Sequence, residues 1–152
     1  MEAKLGQFLM VGFPGLTPSA EFLHFLSAEN IGGVILFAEN IESPKQLAEL
    51  TTKLQAATPQ KLLIGIDHEG GRVFRMKNSF THFPAMAQVA SVAAQAGEEL
   101  VFEMCKAAGE ELRAVGINVN FAPVLDVATN PFNQVIGDRS FSANPQVVAR
   151  LA

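Results

Sequence analysis

The chain has 152 residues, 49% hydrophobic and 17% charged, which suits one domain with its own core and excludes a disordered segment. Its net charge is −4 and it has no basic run, which argues against a nucleic-acid partner. No apolar run approaches the length of a membrane span.

Cys105 is alone, so no internal disulfide can form, and the pattern suits a reducing compartment such as the cytoplasm. Met1 to Gln7 contains no basic stretch leading into an apolar one, so no secretory leader is expected. Trp and Tyr are absent, so any aromatic stacking on a ligand must come from the 12 Phe or from another chain.

Phe8 to Phe13 reads as a short buried strand ended by Pro14-Gly15. Thr17-Pro18 looks like a helix start with proline at the first helical position, and Phe22, Leu23 and Leu26 give that helix an apolar stripe. Val34 to Phe37 is a second apolar strand. Ser43-Pro44-Lys45-Gln46 is a capping box, followed by Leu47, Leu50 and Leu54 at helical spacing.

Leu62, Leu63, Ile64 and Ile66 form a third strand without alternation, the pattern of a parallel sheet covered on both faces. Ser91 to Val115 is predicted as one helix, with Ala96, Leu100, Met104, Ala108, Leu112 and Val115 on one face and Gly116 as its cap. Ile117 to Ala122 is the fourth strand, leading into Pro123-Val-Leu-Asp126. A Gly/Asn/Pro-rich loop carries Gly137 to Phe141, and Asn144-Pro145 caps a last helix that is only begun. Alternating strands and helices predict an α/β fold with a parallel sheet. Pattern alone leaves two architectures open: a small doubly wound sheet, or part of a (β/α)₈ barrel whose full length needs about 250 residues. The unfinished helix suggests a sequence cut short.

Chemistry concentrates where the third strand ends, at Asp67-His-Glu-Gly-Gly-Arg72-Val-Phe-Arg75. Charged groups at the carboxyl end of a parallel strand stand where α/β folds place their ligands. Gly70-Gly71 lets the main chain turn sharply. Asp67, Asp126 and Arg139 all follow strand ends, and Arg72, Arg75 and Glu69 lie close in sequence. Carboxylates accept from hydroxyls and guanidinium groups donate through a rigid fork, a set suited to a polyhydroxylated ligand. The same residues can instead form structural ion pairs, Asp67 with Arg75 or Arg139 among them.

Asp67, His68 and Glu69 are consecutive on an extended segment and point in alternating directions, so no metal site and no cofactor is expected there. His82 reads as packing in its loop, with a catalytic base as the alternative. His24 reads as structural and Cys105 as core.

Four ordered motifs resemble glycoside hydrolase family three: Asp67-His-Glu-Gly-Gly-Arg-Val, Phe83-Pro-Ala85, Asn120-Phe-Ala-Pro-Val-Leu-Asp126 and Ile136-Gly-Asp-Arg-Ser-Phe141. The branch they look most like is the bacterial β-N-acetylhexosaminidases, which trim terminal N-acetylglucosamine from cell-wall fragments. The resemblance implies that residues 1–152 are a single partial domain, the N-terminal half of a (β/α)₈ TIM-type barrel with four parallel strands. It implies that Asp67, Arg75 and Arg139 hold the terminal sugar, with Asp126, Arg72 and Glu69 as possible supports. His68 departs from the Gln most often found at its position in the family.

The family continues with a Lys-His-Phe-Pro-Gly strand end, a loop bearing an acid/base His and an Asp nucleophile, none of which occurs in these 152 residues. Family chemistry is retaining, through a glycosyl-enzyme intermediate. The expectation is therefore sugar-positioning groups without a catalytic residue, and no turnover by this chain alone. The resemblance also implies open sheet edges, to be met by a complementing C-terminal half or by self-association. A non-catalytic sugar-binding half barrel and a β-glucosidase specificity are the competing expectations.

Overall fold

In the computed structural model, residues 5–76 and 79–152 are described. Three apolar runs become neighbouring strands: β1 (Met10–Val11), β2 (Gly33–Leu36) and β3 (Leu63–Ile66), joined by β4 (Val119–Asn120). All neighbours are parallel and the order is β1-β2-β3-β4. A doubly wound sheet reverses its direction of growth at a switch point, whereas this sheet adds each strand on the same side. That is the winding of a (β/α)₈ barrel, and the expected α/β half barrel with four parallel strands is what is found.

The chain divides into two compact units, one of Met1–Asp67, Arg75–Phe80 and Glu111–Asn120, the other of His68–Phe74, Thr81–Glu110 and Phe121–Ala152. The first holds the sheet with α1 (Ala20–Ala28) and α2 (Pro44–Ala56). Val34, Leu36, Ile64 and Ile66 share one sheet face by register and are fully buried against Leu26 of α1 and Leu47, Leu50 and Leu54 of α2. Each such side chain contributes about 1.5–3 kcal/mol. The other face differs from the expectation of burial on both sides: Leu63 is 53% exposed. An apolar run reports only what a strand can bury, and in this unit the helices pack on the face that carries Ile64 and Ile66.

Local signals set the helix starts. Ser43 Oγ accepts from Gln46 N at 3.2 Å with Pro44 in the first turn, as predicted. The Gln46 side chain closes the cap one residue early, accepting from Glu42 N at 3.0 Å. The first helix is capped by Ser19, accepting from Phe22 N, and not by Thr17-Pro18. The expected strand Phe8 to Phe13 is shorter, because Leu5–Phe8 forms a 3-10 turn and Phe8 is exposed. The fourth strand is likewise trimmed to Val119–Asn120.

The second unit holds α3 (Met86–Ala96) and α5 (Pro145–Leu151) packed through Met86, Val89, Ala90, Ala93, Val148 and Leu151. The single helix expected over Ser91 to Val115 is two. Gly97 sits at φ 97° and ends α3, and α4 (Glu99–Ala114) begins two residues later. Gly116, at φ 82°, caps α4 as expected. Cys105 corrects another expectation: it is on the exposed side of α4, although partial burial still pushes its thiol pKa up. Among the described residues no helix is long and apolar enough to cross a membrane.

Candidate functional site

In the first unit, β3 delivers Asp67 directly after Ile66. Arg75 Nη2 donates to Asp67 Oδ2 at 3.2 Å, and both side chains are 29% exposed. The guanidinium carbon of Arg75 lies 5.8 Å from the centre of the Phe37 ring, within range of a cation–π contact. Phe37 follows β2 as Asp67 follows β3, so neighbouring strand ends supply both. Sequence reasoning did not single out Phe37, although its place after a strand end was a signal. Arg75 Nε is buried and has no hydrogen-bond partner among the described residues. A buried donor without an acceptor is costly.

In the second unit, Glu69 and Gly70 enter a tight turn. Glu69 N and Gly70 N donate to Val73 O at 3.0 and 3.2 Å, and Val73 N donates back to Gly70 O at 3.1 Å. Gly70 and Gly71 lie at φ 97° and 53°, the left-handed region that a Cβ disfavours. Space is also short: a Cβ on Gly70 would stand 2.7 Å from Pro84 O, and one on Gly71 2.8 Å from the Ala85 Cβ. The turn leaves Glu69 buried at its base and Arg72 exposed at its tip.

Glu69 is the partner of Arg139. Arg139 Nε donates to Glu69 Oε2 at 2.8 Å and Nη2 to Oε1 at 2.6 Å, a bidentate fork with the Glu69 side chain only 4% exposed. Arg72 pairs with Asp138, Nε to Oδ1 at 3.1 Å, and its Nη2 meets three main-chain carbonyls, those of Gln134, Val135 and Ile136. Asp138 was not among the candidate residues, and the sequence gives no sign that it would meet Arg72. Asp126 is exposed, and the bond at that residue is made by its carbonyl, which accepts from Ser140 Oγ.

His82 packs as the loop reading expected, its ring centre 4.5 Å from that of Phe74. The His68 ring stacks on the same Phe74 at 4.4 Å and is buried. His24 lies exposed on α1. Among the described residues no three His, Cys, Asp or Glu side chains gather closely enough to hold a metal ion.

The fold is that of an α/β barrel domain, a class that binds ligands at the carboxyl ends of its strands. Residues 1–152 match the family model described as the glycosyl hydrolase family 3 N-terminal domain, and the chain belongs to that family. It is 43% identical over 137 residues to a β-hexosaminidase A of Pseudoalteromonas piscicida, covering 86% of this chain and 23% of the relative. It is 39% identical over 147 residues to a β-hexosaminidase of Xylella fastidiosa, covering 95% of this chain and 43% of the relative.

Among solved structures, NagZ from Neisseria gonorrhoeae in complex with N-trifluoroacetyl-D-glucosamine superposes with a TM-score of 0.88 at 37% identity, over 95% of this chain and 43% of that one. A family 3 β-N-acetylglucosaminidase from Paenibacillus gives a TM-score of 0.91 at 41% identity, over 97% of this chain and 28% of that one. The chain thus spans less than half the length of these relatives.

Proposed function

We propose that the protein to which these residues belong hydrolyses terminal β-linked N-acetylglucosamine, as in the turnover of cell-wall fragments, and that this portion positions the sugar. The observation that carries the reading is the Asp67–Arg75 pair after β3, in a chain matched throughout by the family 3 model. Asp67 accepts from sugar hydroxyls, and Arg75 holds that carboxylate in place. In the second unit, Arg139, held by Glu69, is read as a further sugar-binding cation. Asp126 and Arg72 stand further from this role, since Asp126 is exposed and Arg72 is engaged with main-chain carbonyls. The N-acetyl preference is taken from the names of the relatives, β-hexosaminidases and a complex with an N-acylglucosamine.

The nucleophile and acid/base lie outside these residues in this reading. A complementing half, or a second copy, meets the free edges of the sheet at β1 and β4. A reducing compartment, the cytoplasm, fits the lone Cys105.

The test is titration of the folded chain with N-acetylglucosamine, with glucose as control, together with an assay on 4-nitrophenyl N-acetyl-β-glucosaminide. Binding of N-acetylglucosamine without turnover is expected. Asp67→Ala should weaken that binding by about 2 kcal/mol, roughly thirtyfold, the worth of hydrogen bonds to a charged acceptor. Turnover abolished by Asp67→Ala would place a nucleophile within these residues and overturn the half-site reading. Equal affinity for glucose would favour a β-glucosidase-type specificity.

A further inference from the structure

The loop between Thr129 and Asp138 is held in an unusual way. No side chain in it is buried, and only Ile136 is half-buried. Phe132 is 89% exposed and Val135 69%. Apolar packing therefore contributes little to fixing this segment. Its internal bonds are local: Asn130 Oδ1 accepts from Phe132 N, Asn133 Oδ1 from Val135 N and Ile136 N, and Asn133 O from Gly137 N. Local bonds shape a loop without attaching it to anything.

The attachment comes from Arg72, at the tip of the Gly70–Val73 turn. Its Nη2 lies 2.7, 2.7 and 3.1 Å from the carbonyl oxygens of Gln134, Val135 and Ile136, and its Nε binds Asp138. Arg139 is the next residue, and it shares the Val135 carbonyl through Nη1 at 3.1 Å. We propose that Arg72 is a positioning residue: its guanidinium clamps the 134–138 segment so that Arg139 is presented in register with Glu69 and with the sugar. Two nitrogens of one planar group hold the carbonyls and the Asp138 carboxylate together, which the single nitrogen of a lysine ammonium does not. The inference rests on the reading of Arg139 as a sugar contact.

The experiment compares the folded chain with Arg72→Lys, Arg139→Lys and the double variant, titrated with N-acetylglucosamine. Arg72→Lys is expected to lose about tenfold in affinity while its urea midpoint stays near that of the parent, and the double variant should bind no more weakly than Arg139→Lys alone. Such non-additivity marks one residue acting through the other. Additive losses, or no loss in Arg72→Lys, would overturn the proposal. Arg72→Gln, which also lacks the fork, should rank with Arg72→Lys.

Hydrogen exchange separates this failure from that of the sugar reading. If the parent chain does not bind the sugar, the sugar reading falls. The clamp is then judged on the amides of Gly137, Arg139 and Ser140. They should exchange at least about tenfold faster in Arg72→Lys, with Ile64 and Ile66 unchanged. Unaltered exchange in that segment would overturn the clamp itself.

Discussion

Asn40→Asp is expected to lower stability by about 4 kcal/mol at pH 7, the sum of two or three buried groups left unsatisfied at roughly 1–3 kcal/mol each. Asn40 is fully buried. Its Nδ2 donates to Phe13 O at 2.9 Å and Gly15 O at 2.8 Å, and its Oδ1 accepts from Phe37 N at 2.8 Å. The side chain thus ties the segment after β1 to the segment after β2, and all its hydrogen-bonding groups are used. Aspartate has the same shape but no amide hydrogens, so one carboxylate oxygen would face two carbonyl oxygens away from water.

Urea denaturation checks this: with a slope of about 2 kcal/mol/M the midpoint should fall by roughly 2 M. The sign with pH is also fixed. Burial and the facing carbonyls raise the folded-state pKa of the new carboxyl above its unfolded value of about 3.9. The difference from the parent should therefore be smallest below that value and grow as pH rises through the folded-state pKa. Asn40→Ala loses all three bonds without adding a charge, so its deficit should not change with pH. An unchanged midpoint for Asn40→Asp at pH 7 would mean that the two Nδ2 bonds do not hold this corner.

Much of this architecture was legible because it rests on local chemistry. Ser43-Pro44 and Asn144-Pro145 start their helices where the sequence places them, since a cap is decided within four residues. The β2 and β3 runs needed only apolar continuity. Which architecture the strands build was not legible from pattern, because strand order is a long-range property; the family resemblance supplied it and the sheet order agrees.

The break at Gly97 was lost because Ala96, Leu100 and Met104 keep a helical spacing across it, and spacing does not register a single residue with positive φ. Leu63 reads as core by its apolar character, yet what covers a face is decided elsewhere in the chain. At the site, the residue types were readable but not the choice of partner. Arg75 and Arg139 are equally able to bind a carboxylate, and only the fold gives Asp67 to the first and Glu69 to the second.

Glu69→Ala is the second large effect, a loss of about 3 kcal/mol, at the lower end for breaking a buried ion pair because Arg139 keeps some access to water. The Glu69 side chain is 4% exposed and that of Arg139 24%. The variant removes both charge-assisted bonds that Arg139 makes to the carboxylate. Glu69→Gln keeps one acceptor and should lose about 2 kcal/mol, the difference between a charged and a neutral acceptor plus one mismatched donor.

The contrast lies with a more exposed ion pair of the same unit. Arg72 and Asp138 are 47% and 53% exposed, and Asp138→Asn should change stability by less than about 0.5 kcal/mol, as exposed pairs do. Urea suits the measurement, since an ionic denaturant would screen the weaker pair. Removing both partners tests the cause. If the penalty of Glu69→Ala is an orphaned cation, Glu69→Ala with Arg139→Ala should be more stable than the two separate losses add up to, by about 2 kcal/mol. Simple additivity would assign the loss to packing around Glu69 and would mean that the ion pair does not fix Arg139.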